Sequence, residues 1–127
     1  MSSIKVKSKL EELCRVHEFV NNIIHQEKME IDLIVEEIFV NITQYSQSTY
    51  TIVNTEFNEN TGVLTLEFVD DGTPFNPLEK EDPVKPDSVE EANIGGLGIH
   101  FIKNLADKVE YEYVNNENHL KIAKKVK

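Results

Sequence analysis

The sequence predicts an α+β fold of two layers, with helices packed on one face of a mixed, mostly antiparallel sheet. Three observations carry this. Residues 9–27 and 31–46 space their apolar side chains at the helical period. Residues 50–57, 63–69, 108–114 and 119–126 read as strands bounded by turn residues. The order, a helix pair before the first strand pair and a third helix before the second, groups strands with strands and favours helices on one face. The 127 residues suit one domain spanning 1–127. At this length a folded domain buries roughly two-thirds of the surface its unfolded chain exposes, enough for one core and one pocket.

Ile4 and Val6 alternate with Lys5 and Lys7, a short strand of edge character. The first helix, about 9–27, carries Leu10, Leu13, Val16, His17, Val20, Ile23 and Ile24 at helical spacing. Cys14, the single cysteine, falls in this pattern and reads as a small buried hydrophobe. The second helix, about 31–46, has the stripe Ile31, Ile34, Val35, Ile38, Ile42 and Tyr45. Two strands follow across a turn at 58–62, where Asn60, Thr61 and Gly62 supply turn chemistry. Residues 71–93 hold all four prolines and little periodicity, a long loop of the kind that is usually functional or disordered. Gly95-Gly96-Leu97-Gly98 opens a third helix, 99 to about 106. Two closing strands are joined by Asn115-Asn116-Glu117-Asn118.

Hydrophobic residues make up 39% and charged residues 28%, an ordinary globular mix. The formal charge of -10 excludes a general nucleic-acid or anionic-membrane binder, since nothing offsets a phosphate backbone. It leaves room for a single nucleotide, whose phosphates a metal ion and backbone N–H groups can hold. One cysteine permits no internal disulfide. The first residues lack an apolar signal core and no stretch approaches spanning length, so a cytoplasmic protein is expected.

Three places ask for an explanation. Glu37 and Asn41 are four apart on the second helix and point the same way, at the edge of its apolar face. There they either line a pocket or are simply solvated. Asp70 shares the parity of Leu64, Leu66 and Phe68, so it should point inward at its strand's end. A buried carboxylate is costly without a partner, and the sequence offers no obvious one. It either caps the turn at Gly72 or meets a ligand's donor. Gly95-Gly96-Leu97-Gly98 at a helix start is either a hinge or an anion site, where free N–H groups and the helix dipole converge. Its spacing is neither that of a Walker A loop nor that of a dinucleotide fingerprint.

Together and in order, these spots resemble the histidine-kinase-like ATPase superfamily. The three boxes are Glu37-Ile38-Phe39-Val40-Asn41, Asp70-Asp71-Gly72-Thr73-Pro74-Phe75-Asn76-Pro77, and Gly95-Gly96-Leu97-Gly98-Ile99-His100-Phe101-Ile102. Their form, with the tail Leu105-Ala106-Asp107-Lys108-Val109-Glu110-Tyr111, is similar to the anti-sigma-factor serine/threonine kinases in particular. The resemblance covers nearly the whole chain. It implies the Bergerat fold, ATP and magnesium as cofactors, and an ATP lid at about 78–94. It implies Asn41 as magnesium ligand and Asp70 as acceptor from the adenine amino group. Gly72 would let the backbone pass the base, and Gly95, Gly96, Leu97 and Gly98 would bring N–H groups to the phosphates. Phe75 and Lys85 would be further nucleotide contacts, and Glu37 the general base for an attacking hydroxyl.

The activity so implied is that of a serine kinase. It would phosphorylate a small antagonist protein of the STAS type and sequester a sigma factor, and its relatives often form homodimers through the first helix and sheet edge. The alternative is a non-catalytic module of the same fold, in which nucleotide sets a binding surface. A detached sensor-kinase domain is disfavoured by the Pro-Phe-Asn-Pro form. The chain departs from the family pattern at Tyr45, where a histidine is frequent, and at Ala92-Asn93-Ile94, where a basic residue often stands. Its lid lysines are Lys80 and Lys85 alone, and His119 or Lys121 occupies the neighbourhood of a common threonine.

Overall fold

The computed structural model describes residues 2–26, 28–76, 102 and 104–126. Among them are five strands and two α-helices. The strands are β1 (Ser2–Lys7), β2 (Tyr50–Asn58), β3 (Val63–Asp70), β4 (Lys108–Val114) and β5 (Glu117–Lys125). The helices are α1 (Leu13–Ile24) and α2 (Met29–Asn41). The sheet runs β1-β2-β3-β5-β4, and its four pairings are antiparallel. The expected two-layer α+β class therefore holds, and the sheet described is antiparallel rather than mixed.

Strand parity decides what each face buries. Val53 on β2, Leu64, Leu66 and Phe68 on β3, and Leu120 and Ile122 on β5 point under the helices and are buried. The helices supply Val16, Val20, Ile31, Ile34, Val35, Ile38 and Phe39, all at most 1% exposed. Burying a side chain of this size contributes about 1.5–3 kcal/mol, so this shared layer holds the two walls together. The far face of the sheet is polar. There Glu67 meets Asn54 at 3.0 Å and His119 at 3.4 Å, and the Tyr50 hydroxyl donates to Glu117 Oε2 at 2.6 Å.

Both helices differ from their expected limits. Leu10–Glu12 form a 3-10 turn ahead of α1, which leaves Leu10 59% exposed instead of in the stripe. Cys14 is also exposed. It sits about 120–160° round α1 from Val16 and Val20 at about 100° per residue, so the buried-hydrophobe expectation fails on geometry. α2 ends at Asn41, and Ile42–Ser46 form a π turn. This wider i→i+5 winding brings Ser46 inward, while Tyr45, expected in the stripe, is 40% exposed. Residues 102, 104 and 105 are helical, within the expected third helix. The lid at about 78–94 and the glycine run at 95–98 lie outside the described residues.

The last hairpin also begins earlier than expected. Asn115 and Asn116 have φ of 53° and 62°, the pair of left-handed residues that a tight two-residue turn needs. The strand therefore resumes at Glu117 and not at His119, which makes Asn118 a strand residue with the parity of Leu120 and Ile122. Its partner across the ladder is Asp70.

Candidate functional site

A small cleft opens between the C-terminal end of α2 and the ends of β3 and β5. Ile38, Ile42, Phe68 and Leu120 form its apolar floor, with Asn41, Ser46, Asp70, Phe75, Tyr111 and Asn118 as its polar and aromatic walls. A mostly apolar cleft with a few convergent polar groups is the usual form of a small-molecule site.

The helix wall offers an amide oxygen. Asn41 is 4% exposed, and its Nδ2 donates to the Glu37 carbonyl one turn back at 2.8 Å. Its Oδ1 is buried and has no hydrogen-bond partner among the described residues. Leaving such a group unpaired costs about 1–3 kcal/mol, so the position suits an electrophilic ligand. The donor is a neutral, hard oxygen of the type that magnesium accepts when phosphates and water complete its shell. No group of three metal-ligating side chains occurs among the described residues.

The strand wall offers a carboxylate. Asp70 is 3% exposed, as its parity with Phe68 predicts. Burial pushes its carboxyl above the usual carboxylate range, opposed by hydrogen bonds from the Gly72 N–H and the Asn118 amide. Gly72 N donates to Asp70 Oδ1 at 2.9 Å and Asn118 Nδ2 at 3.1 Å. Asp70 thus does cap its turn, and it faces the cleft as well.

Gly72 shows why this turn lacks a side chain. A Cβ there would lie 2.1 Å from the Ser46 carbonyl oxygen. That same carbonyl accepts from Thr73 N at 2.7 Å and Thr73 Oγ1 at 3.2 Å. The close approach that the glycine permits is to the π turn. The next residue beyond the strand, Asp71, binds the start of β2 through Thr49 N at 2.7 Å and Tyr50 N at 3.1 Å. Burial would raise its carboxyl, but these bonds and the Thr49 hydroxyl hold it below the ordinary range. At the mouth, Phe75 stacks on Tyr45 with centroids 5.6 Å apart.

Of the residues singled out from sequence, Asn41, Asp70 and Phe75 share the cleft, with Gly72 directly behind it. Glu37 is not among the lining residues. It lies one turn before Asn41, half-buried, with its carboxyl raised by that burial and then by neighbouring Glu36. Lys85, Gly95, Gly96, Leu97 and Gly98 lie outside the described residues. Asn118, Ser46 and Tyr111 were not singled out. For Asn118 the signal was available, since Leu120 and Ile122 set its parity once the strand is extended to Glu117.

Comparison with known proteins agrees with the fold. The family model of the histidine kinase-like ATPase domain matches residues 6–124. A histidine kinase from Acinetobacter baumannii, AdeS, superposes with a TM-score of 0.55 at 12% identity, over 98% of this chain and 68% of that one. This likeness is one of fold. No curated protein matches the sequence. Among the described residues no helix is long and apolar enough to cross a membrane.

Proposed function

This chain belongs to the histidine kinase-like ATPase domain family, and on that premise we propose that its cleft binds ATP with magnesium for a protein serine/threonine kinase. The observation that carries the reading is the pairing of two groups in one cleft. Asn41 presents a buried oxygen without a partner, and Asp70 presents a buried carboxylate at the end of an apolar slot. Asp70 would accept from the exocyclic amine of adenine, with Ile38, Ile42, Phe68 and Leu120 against the ring. Asn41 would hold magnesium, which supplies charge neutralisation at the phosphates. Glu37, beside Asn41 and with a raised carboxyl, would take the proton of an attacking hydroxyl.

The resemblance to anti-sigma-factor kinases extends the proposal to partners. The substrate would be a serine on a small antagonist protein of the STAS type, and a sigma factor would be the sequestered partner, with the chain acting as a homodimer in the cytoplasm. One observation favours a second reading, a regulatory module that binds nucleotide without transfer. None of the described residues lining the cleft is cationic, and phosphoryl transfer depends largely on charge stabilisation.

Calorimetry of Asn41→Ala tests the site. ATP affinity should fall at least about tenfold with magnesium, the scale of one lost bond to a charged group, and little without it. Equal losses in both buffers refute the assignment. Single-turnover transfer to candidate antagonists then separates the two readings: ATP binding without transfer to any of them leaves the module.

A further inference from the structure

Asn118 is buried at the start of β5, at 4% exposure, and its carboxamide uses every hydrogen-bonding position it has. Nδ2 donates to Asp70 Oδ1 at 3.1 Å and to the Thr73 carbonyl at 2.8 Å. Oδ1 accepts from Phe75 N at 3.0 Å and from the Tyr111 hydroxyl. A primary amide offers two donors and one oxygen with two lone pairs, so nothing remains for a ligand even though the residue lines the cleft. The amide orientation is fixed by the same network, because a flipped amide would turn its oxygen on two acceptors and its nitrogen on the Phe75 N–H.

The four partners come from three places: the end of β3, the 73–75 loop and β4. Thr73 in turn is bound to the Ser46 carbonyl, and Phe75 is stacked on Tyr45. One buried side chain therefore joins the cleft-lining carboxylate to the loop that carries the aromatic mouth.

We propose that Asn118 is a positioning residue that orients the Asp70 carboxylate and locks the 73–75 loop into the cleft wall, and so governs nucleotide recognition without touching the nucleotide. The proposal rests on the reading of the cleft as an adenine site. Asn118 acts by donating to Asp70 where burial disfavours the charge. A leucine of similar size would leave that carboxylate with the Gly72 N–H. Of the titratable groups on the surrounding elements, Asp71 beside it and Tyr50 on β2 couple to Asp70 through charge, and Tyr111 on β4 lines the same cleft.

The test is Asn118→Leu, read in two ways. In ligand-free protein, the carboxyl resonance of Asp70 is titrated by NMR. Its midpoint should move up relative to the parent, since a donor to the charged form is gone. With magnesium and ATP, affinity at pH 7.5 should fall about tenfold or more, the scale of a buried group left unpaired. The fall-off of binding toward acid should also begin at a higher pH than in the parent. A residue that only fills space moves neither the midpoint nor the acid limb, and that result overturns the proposal. Tyr111→Phe keeps the ring and removes one anchor of Asn118, so it should shift the midpoint the same way by less and carries the comparison if leucine impairs folding. A parent that binds no ATP sinks the adenine reading, while the ligand-free titration still decides the role of Asn118.

Discussion

Gly72→Ala is the most direct probe of how the cleft is built. The new Cβ would lie 2.1 Å from Ser46 O, 2.7 Å from Ser46 C and 2.8 Å from Ser46 Cβ. Ordinary contact begins at 3.4 Å, so the loop must retreat by 3.4 − 2.1 = 1.3 Å. The Thr73 N bond to Ser46 O would then stretch from 2.7 Å to as much as 4.0 Å, beyond hydrogen-bonding range. The Thr73 Oγ1 bond fails with it. Overpacking costs about 1–3 kcal/mol, and two lost bonds add about 0.5–1.5 kcal/mol each. The total of about 2–6 kcal/mol corresponds to a fall in Tm of at least about 6 °C. Asp70 moves with the loop, because Gly72 N is one of its donors, so ATP affinity should fall as well. Thermal unfolding followed by circular dichroism, with calorimetry on the folded fraction, measures both. A Tm within about 2 °C of the parent with unchanged affinity would refute the claim that this contact shapes the site.

The remaining perturbations separate recognition from chemistry. In Asp70→Asn, the Gly72 and Asn118 donors keep an oxygen acceptor while the buried charge disappears. Because the folded carboxyl is raised, its contribution to stability is full below the unfolded pKa and lost as pH rises through the folded one. The variant should therefore melt no lower than the parent at pH 7, with the gap between them closing toward pH 4, yet lose its preference for ATP over GTP. A variant that keeps the preference places Asp70 in the turn alone. Glu37→Gln should bind magnesium-ATP like the parent and transfer phosphate at least about 100-fold more slowly, the scale of general-base catalysis. Parental transfer rates in quenched single-turnover reactions would remove Glu37 from that role.

The parts of this site that follow a simple period were legible in the sequence. Alternation along β3 places Asp70 inward from Leu64, Leu66 and Phe68, and the i, i+4 relation sets Glu37 and Asn41 on one helix flank. The rest depends on pairing between distant strands or on a break in period. The donor to Asp70 is a matter of register between β3 and β5, and Asn115-Asn116-Glu117-Asn118 reads as one turn until two left-handed asparagines show where the strand resumes. The exposure of Tyr45 and the burial of Ser46 follow from a π turn that no 3.6-residue stripe anticipates. Cys14 misled because a residue type usually found inside outweighed an angle that pointed out.

The π turn at Ile42–Ser46 makes the number of residues here matter more than most of their identities. Gln44 is exposed, so exchanging its side chain should be nearly silent. Removing the residue altogether would rewind the segment and rotate Tyr45 and Ser46 by about 100°. The Ser46 carbonyl would leave Thr73 and the gap that admits Gly72 would close, although every residue with a chemical role would still be present. Within this stretch the chain is tolerant of spelling and intolerant of a frame shift. A comparison of related sequences scored by substitution alone would miss that constraint, while one that tracks insertions and deletions would see it as a segment of fixed length between Asn41 and the first residue of β2.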